Sequence, residues 1–122
     1  MTWTSDELTR VGEADELEIA STRDDGTLRP YIPIWTVRVG DGIYIRSAYG
    51  PDNGWYRRAL ASGSGAIRAG GVEKAVTFEA PDASADAIDA AYHAKYDRYG
   101  ARIVNTVVSE AAHSATLKVV PA

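Results

Sequence analysis

The residues best suited to chemistry lie in one loop and the helix start behind it, Tyr49-Gly50-Pro51-Asp52-Asn53-Gly54-Trp55-Tyr56-Arg57-Arg58. Asp52 or Asn53 is a good N-cap, which puts Arg57 and Arg58 in or near the first turn of a helix. Two cations there face the positive end of the helix dipole, at a cost of about 0.3–1 kcal/mol each. A sequence shaped only by stability would place acids at that end. An anion docked on the helix N-terminus reverses the sign and makes both arginines favourable. The wider segment agrees. Between Ile43 and Val72 lie Arg46, Arg57, Arg58 and Arg68 against a single acid, Asp52, a local charge of +3 in a chain of formal charge −4. Such an island suits a local anionic ligand, or acids brought up from elsewhere in the fold.

A second unusual stretch is Arg29-Pro30-Tyr31-Ile32-Pro33-Ile34-Trp35-Thr36. Two prolines in one strand each remove a ladder donor, so this strand should be an edge or be bulged. An edge of this kind needs cover from a partner chain or a ligand. Trp35 beside Pro33 could form a flat apolar wall for an aromatic ring, or it could be a core tryptophan. Other constellations are weaker. His93 and His113 are the two histidines, and no serine has a nucleophile-elbow setting, which argues against a hydrolytic triad. Glu110 and His113 have helical spacing but lack the further ligands that a metal site needs. Tyr92, Tyr96 and Tyr99 suit a core more than a catalytic role; phenols lining a substrate pocket are the alternative.

Several elements must position these residues. Thr4-Ser5-Asp6-Glu7 starts a helix with Leu8 and Val11 as its apolar face. Glu16 to Thr22 reads as a strand, turning at Asp25-Gly26 into a second strand from Leu28 to about Val39. Gly40-Asp41-Gly42 returns the chain as Ile43 to Ser47, and a short helix covers Trp55 to Ala61. Two strands, Ala66 to Ala69 and Val72 to Glu79, join at Gly70-Gly71. Pro81-Asp82-Ala83-Ser84 starts the longest helix, whose Ile88, Ala91, Tyr92, Lys95 or Tyr96, and Tyr99 form one stripe before Gly100. Arg102 to His113 is ambiguous, and Thr116 to Val120 closes the chain as a strand. Six strands in antiparallel hairpins with a few helices predict a mainly β, α+β fold: a small antiparallel barrel with helices at its rim.

Composition sets the outer bounds. The 122 residues suit one domain, residues 1–122, with 45% apolar and 25% charged residues. Cysteine is absent, so disulfides, thiol catalysis and thiolate metal sites are excluded. Met1 to Arg10 is polar and does not read as a signal peptide, and no apolar run approaches the ~20 residues of a membrane span. The expectation is a cytoplasmic protein without a membrane partner. The negative charge disfavours nucleic acid as a partner. No Walker or Rossmann glycine loop occurs.

In the order of these elements the chain resembles the pyridoxamine 5′-phosphate oxidase-like split-barrel superfamily. Within it, the chain is similar to deazaflavin-dependent nitroreductases and to an uncharacterised bacterial relative. Asp25-Gly26 with Arg29, Pro33-Ile34-Trp35, the Gly40-Asp41-Gly42 turn, Arg46-Ser47, Gly50, Trp55-Tyr56, Arg57-Arg58-Ala59-Leu60 and Gly70-Gly71 carry the resemblance over about residues 16 to 80. It implies a six-stranded split barrel that forms a homodimer, with cofactor sites between subunits. By the same resemblance Pro33, Ile34, Trp35 and Thr36 would back a flavin-type ring. Arg46 and Ser47 would contact ring or phosphate, and Trp55, Arg57 and Arg58 would hold the phosphate end. Tyr49, Tyr92 and Tyr96 are the candidates for a substrate pocket. One position departs from the pattern: Ala48 stands where the deazaflavin enzymes often carry a basic residue, so phosphate binding rests on Arg46 and the helix arginines.

Two functions fit these expectations. One is an oxidoreductase that passes a hydride from FMN or from 8-hydroxy-5-deazaflavin (coenzyme F-420) to a small organic acceptor, with no side chain assigned to catalysis. The other is a cofactor-free split barrel that carries or sequesters a small aromatic ligand.

Overall fold

A computed structural model describes residues 2–122. Thr4 caps the first helix, α1 (Ser5–Glu13), through a reciprocal box: its hydroxyl accepts from the Glu7 N–H and the Glu7 carboxylate accepts from the Thr4 N–H. The strands follow as β1 (Leu17–Ser21), β2 (Ile32–Ile34), β3 (Thr36–Val39) and β4 (Gly42–Arg46). After α2 (Gly54–Ser62) come β5 (Ser64–Ala69) and β6 (Val72–Glu79). Two helices, α3 (Ala85–Tyr96) and α4 (Ala101–Val108), are linked by a 3-10 turn at Asp97–Tyr99. A short α5 (Glu110–His113) leads into β7 (Thr116–Pro121). The ambiguous segment from Arg102 is therefore helical, α4 and then α5.

All pairings are antiparallel, in the order β2-β1-β5-β6-β7-β4-β3. The two outermost strands are consecutive in the chain, with Trp35 alone between Ile34 and Thr36. One residue spans at most about 3.6 Å, so the sheet's two edges are brought together at Trp35. The sheet is thus a nearly closed barrel whose seam is this one residue. The expected strand count of six becomes seven because the proline-bearing strand breaks at Trp35. Pro33 lies in β2 opposite Glu18, at the sheet edge where a missing N–H costs no ladder bond.

The period-2 alternation of β4 explains the two cores. Ile43 and Ile45 face the barrel interior with Leu17, Ile19, Ile67, Leu117 and Val119, closed at one end by Trp3, Leu8 and Val11. Tyr44, between them, faces outward into a second cluster with Val37, Ile88, Tyr92, Tyr96, Val104 and Val107. α3 and α4 therefore cover β3 and β4 from outside. Every residue of β4 is buried, and Arg46 falls on the same outward face as Tyr44, beneath α3 and α4.

Candidate functional site

The seam residue Trp35 is held flat. The Tyr96 ring stacks on it at 4.0 Å between centroids and 6° between planes, and Tyr99 leans against it at 5.8 Å. The Tyr96 hydroxyl pins the chain break from behind: it accepts from the Thr36 N–H at 3.1 Å and lies within donating distance of the carbonyls of Asp15 and Thr36. Burial pushes this phenol well above its ordinary pKa, so it serves as a fixed dipole and not as an acid. With Tyr96 on one side, Trp35 contributes the rest of its ring to a cleft of about 310 Å³, near the lower end of small-molecule sites. Pro33, Ile34, Trp55, Ile103 and Val107 form its apolar walls, and Asn53 and Thr106 supply polar groups.

Positive charge gathers at one end of this cleft. Ile32 and Trp55 also line an adjoining, water-sized nook with Ser21, Arg29, Pro30 and Arg58. Among the described residues neither Arg29, Arg57 nor Arg58 forms an ion pair. The Arg29 Nε is buried without a hydrogen-bond partner. Asn53 occupies the N-cap position of α2, but its side-chain amide donates instead to Ser47 Oγ at 2.9 Å and to the Ala48 carbonyl at 2.8 Å. No side chain caps α2 and no acid sits in its first turn. The Arg58 guanidinium folds back over that end: a Cβ on Gly54 would lie 2.8 Å from its Nη1. Unsatisfied N–H groups, the helix dipole and a guanidinium thus converge on one spot.

The other expected residues have different surroundings. Arg46 has a fully buried side chain that is already spent. It pairs with Asp89 and donates to Thr116 Oγ1 at 2.9 Å, to the Val107 carbonyl at 2.9 Å and to the Ala85 carbonyl at 3.2 Å. It borders the cleft as scaffold, with its donors used internally. Ser47 is buried and accepts from Asn53, and Thr36 is buried with its hydroxyl on the Tyr44 carbonyl at 3.3 Å. Arg57 is exposed and lines neither hollow. Tyr92 and Tyr96, expected at a substrate pocket, are fully buried in the outer core. Tyr49 is 81% exposed, with its N–H held by the Thr106 carbonyl at 3.0 Å and its φ at +67°. A left-handed tyrosine costs about 1–2 kcal/mol.

Residues outside the expected set also matter. Arg29 carried a sequence signal, an arginine directly before the first proline of the unusual strand. Ile103, Thr106 and Val107 come from α4, whose β-branched run hid its helical spacing. Larger clefts exist, of about 600 Å³ beside Trp3 and Tyr44 and of about 520 Å³ beside Glu16 and Glu73. Their cations are neutralised, Lys118 by Asp82 and Arg68 by Glu18. A third, of about 370 Å³ between α1, β3 and α3, holds Lys95 and Arg38 outside any ion pair among the described residues but has no aromatic wall. The groove at Trp35 differs by joining an aromatic wall to unpaired guanidinium groups. Among the described residues no cluster of three histidine, aspartate or glutamate side chains could hold a metal, and no helix is long and apolar enough to cross a membrane.

Comparison with known proteins places this architecture. No curated protein matches the sequence significantly. Of the solved structures, an F420 reductase superposes with a TM-score of 0.57 at 18% identity, covering 93% of this chain and 91% of that one. A conserved hypothetical protein from Mycobacterium tuberculosis gives 0.56 at 9% identity, over 98% of this chain and 79% of the other. A FAD-binding protein from Mesorhizobium loti gives 0.55 at 14% identity, over 100% and 92%. At such identities the likeness is one of fold, and it is the split barrel that the order of elements led us to expect. The sequence model of one family covers residues 7–119, nearly the whole chain, and the protein therefore belongs to DUF2255, a family of uncharacterised proteins conserved in bacteria.

Proposed function

We propose that this protein binds a flavin-type cofactor in the Trp35 groove and uses it to reduce a small organic acceptor. One observation carries the reading: unpaired Arg29 and Arg58 meet the uncapped start of α2 at one end of a tryptophan-walled cleft. A planar aromatic ring joined to a phosphate matches both ends of such a groove. Similarity in fold to an F420 reductase and to a FAD-binding protein supports the choice of a flavin or deazaflavin. Pro33, Ile34, Trp35 and Trp55 would hold the ring, with Arg58, Arg29 and the first-turn N–H groups of α2 on the phosphate. Such a cofactor supplies the hydride when bound. The chain's own part is to stack the ring, fix its phosphate and keep water out, which explains why the groove holds no acid–base dyad. Arg57 lies in the same helix and adds to the local potential.

A homodimer completes this reading. Tyr49 and Ile103 are both more than half exposed, Ile103 lining the cleft and Tyr49 held to Thr106 beside it. A second subunit set over them would close the groove, and Tyr49 would then meet the acceptor. The protein would act in the cytoplasm, without nucleic acid or membrane. The internal use of Arg46 and Ser47, together with Ala48, favours one rival, a cofactor-free carrier of a small aromatic ligand. Absorption spectroscopy of the purified protein, followed by titration with FMN, FAD and the deazaflavin, separates the two. Saturable binding of one of them, and its turnover from the reduced form with an acceptor, is the expected result. Protein that is colourless and ignores all three removes the reductase reading.

A further inference from the structure

The chain has three lysines, and two of them are neutralised. Lys74 donates to Glu7 at 2.7 Å and Lys118 to Asp82 at 2.7 Å. Lys95 makes no ion pair among the described residues. Its Nζ donates to the Thr36 carbonyl at 2.7 Å and sits 5.0 Å from the centre of the Tyr96 ring. This half-buried amine opens into a cleft of about 370 Å³ between α1, β3 and α3, on whose walls also lie Glu13, Asp15, Arg38 and Arg98. Asp15 is already engaged by Arg98 and by the Tyr99 hydroxyl. Arg38 gives its Nε to the Gly40 carbonyl at 2.8 Å and forms no ion pair, which leaves its outer N–H groups for an anion. Three cations thus face two acids, one of them used, and the amine among them is poorly solvated. Burial lowers Lys95 to about 8, which leaves roughly a tenth of it as free amine at pH 7.

We propose that Lys95 is a nucleophilic amine that captures small carboxylate-bearing carbonyl compounds, aldehydes or 2-oxo acids, as imines, with Arg38 holding the carboxylate. The neutral Nζ attacks the carbonyl carbon and forms the C–N bond. The carbonyl oxygen takes up the two amine hydrogens and leaves as water, so no electron donor or acceptor is consumed. A proton taken up from solvent then converts the neutral imine to the iminium, whose N–H faces the Thr36 carbonyl, so the contact that orients the free amine also orients the product. Lys74 and Lys118 each donate to a carboxylate and serve as internal controls.

The test is reductive trapping on the folded, full-length protein. Glyoxylate or acetaldehyde is added with cyanoborohydride, and the three lysines are quantified by peptide mass spectrometry. Glyoxylate should label Lys95 at least tenfold faster than Lys74 or Lys118, with a rate that rises with pH through about 8. Arg38→Ala, a change at an exposed side chain, should slow glyoxylate labelling of Lys95 severalfold and leave acetaldehyde labelling unchanged. Equal labelling of the three lysines overturns the nucleophile. Preferential labelling of Lys95 that is indifferent to Arg38→Ala overturns the anion site.

Discussion

Arg46 and Arg58 come from the same cationic island, yet the fold treats them oppositely. Arg46 lies on the outward face of β4, where α3 and α4 close over it, and it meets Asp89, two backbone carbonyls and a threonine hydroxyl. Asp89 in turn takes the His113 Nε2 at 3.0 Å. Every element packed on Arg46 supplies it an acceptor, so it welds β4 to α3, α4 and β7. Arg58 and its neighbour Arg29 receive no carboxylate at all, and a buried Nε of Arg29 receives nothing. A folded chain rarely leaves a buried donor such as the Arg29 Nε unmatched. A satisfied buried cation thus reads as architecture, and an unsatisfied one at a groove reads as a place kept for a ligand.

Removing each cation should expose this contrast. Arg46→Ala leaves Asp89 facing a buried hole, and breaking a pair of this kind costs about 3–5 kcal/mol; denaturant unfolding should show it with or without ligand. Arg58→Ala and Arg29→Ala should leave unfolding within about 0.5 kcal/mol of the parent. Their effect belongs in cofactor titration, as a loss of about 1.5–3 kcal/mol, or roughly ten- to hundredfold in affinity, for each charge-assisted bond. A comparable fall in stability for Arg58→Ala would erase the distinction. Tyr96→Phe probes the seam itself. It keeps the stack on Trp35 but takes away the hydroxyl that satisfies Thr36, at about 1–2 kcal/mol of stability. Cofactor affinity should fall less than stability, because the platform ring remains.

How much of this was legible in the sequence follows from the reach of each interaction. The helix start and its arginines were legible because Asn53, Gly54, Arg57 and Arg58 are neighbours in the chain, but the missing cap was not, since Asn53 turns its amide to Ser47 and Ala48 only in the folded loop. Pro33 marked an edge strand for an equally local reason. The architectural role of Arg46 was hidden, since its partners lie 39 to 70 residues away and surround it only after α3, α4 and β7 pack. The break at Trp35 escaped for a similar reason: two edges meeting at one residue is a property of the closed sheet, not of any window of sequence. In the long helix, spacing alone left Lys95 and Tyr96 as alternatives. The fold uses both, with Tyr96 as the stacked peg and Lys95 as the amine beside it.

The lysines extend the same contrast to a weaker, pH-dependent effect. Lys95 is brought down from 10.5 to about 8 by burial, with Arg98 opposing and Asp15 favouring its charge. The unfolded chain therefore binds more protons at this residue than the folded one between pH 8 and 10.5, so its contribution to stability rises with pH across that window. Below pH 8 the charged amine is a constant burden. Lys95→Met removes the titrating group while keeping its length and apolar stem. The variant should match or exceed the parent at pH 7, and its advantage should shrink as pH rises from 8 towards 10.5. Thermal unfolding of the two proteins across that range measures it. Parallel curves would mean that solvent reaches the amine freely, and Lys95 would then rank with Lys74 and Lys118 instead of with the unmatched arginines.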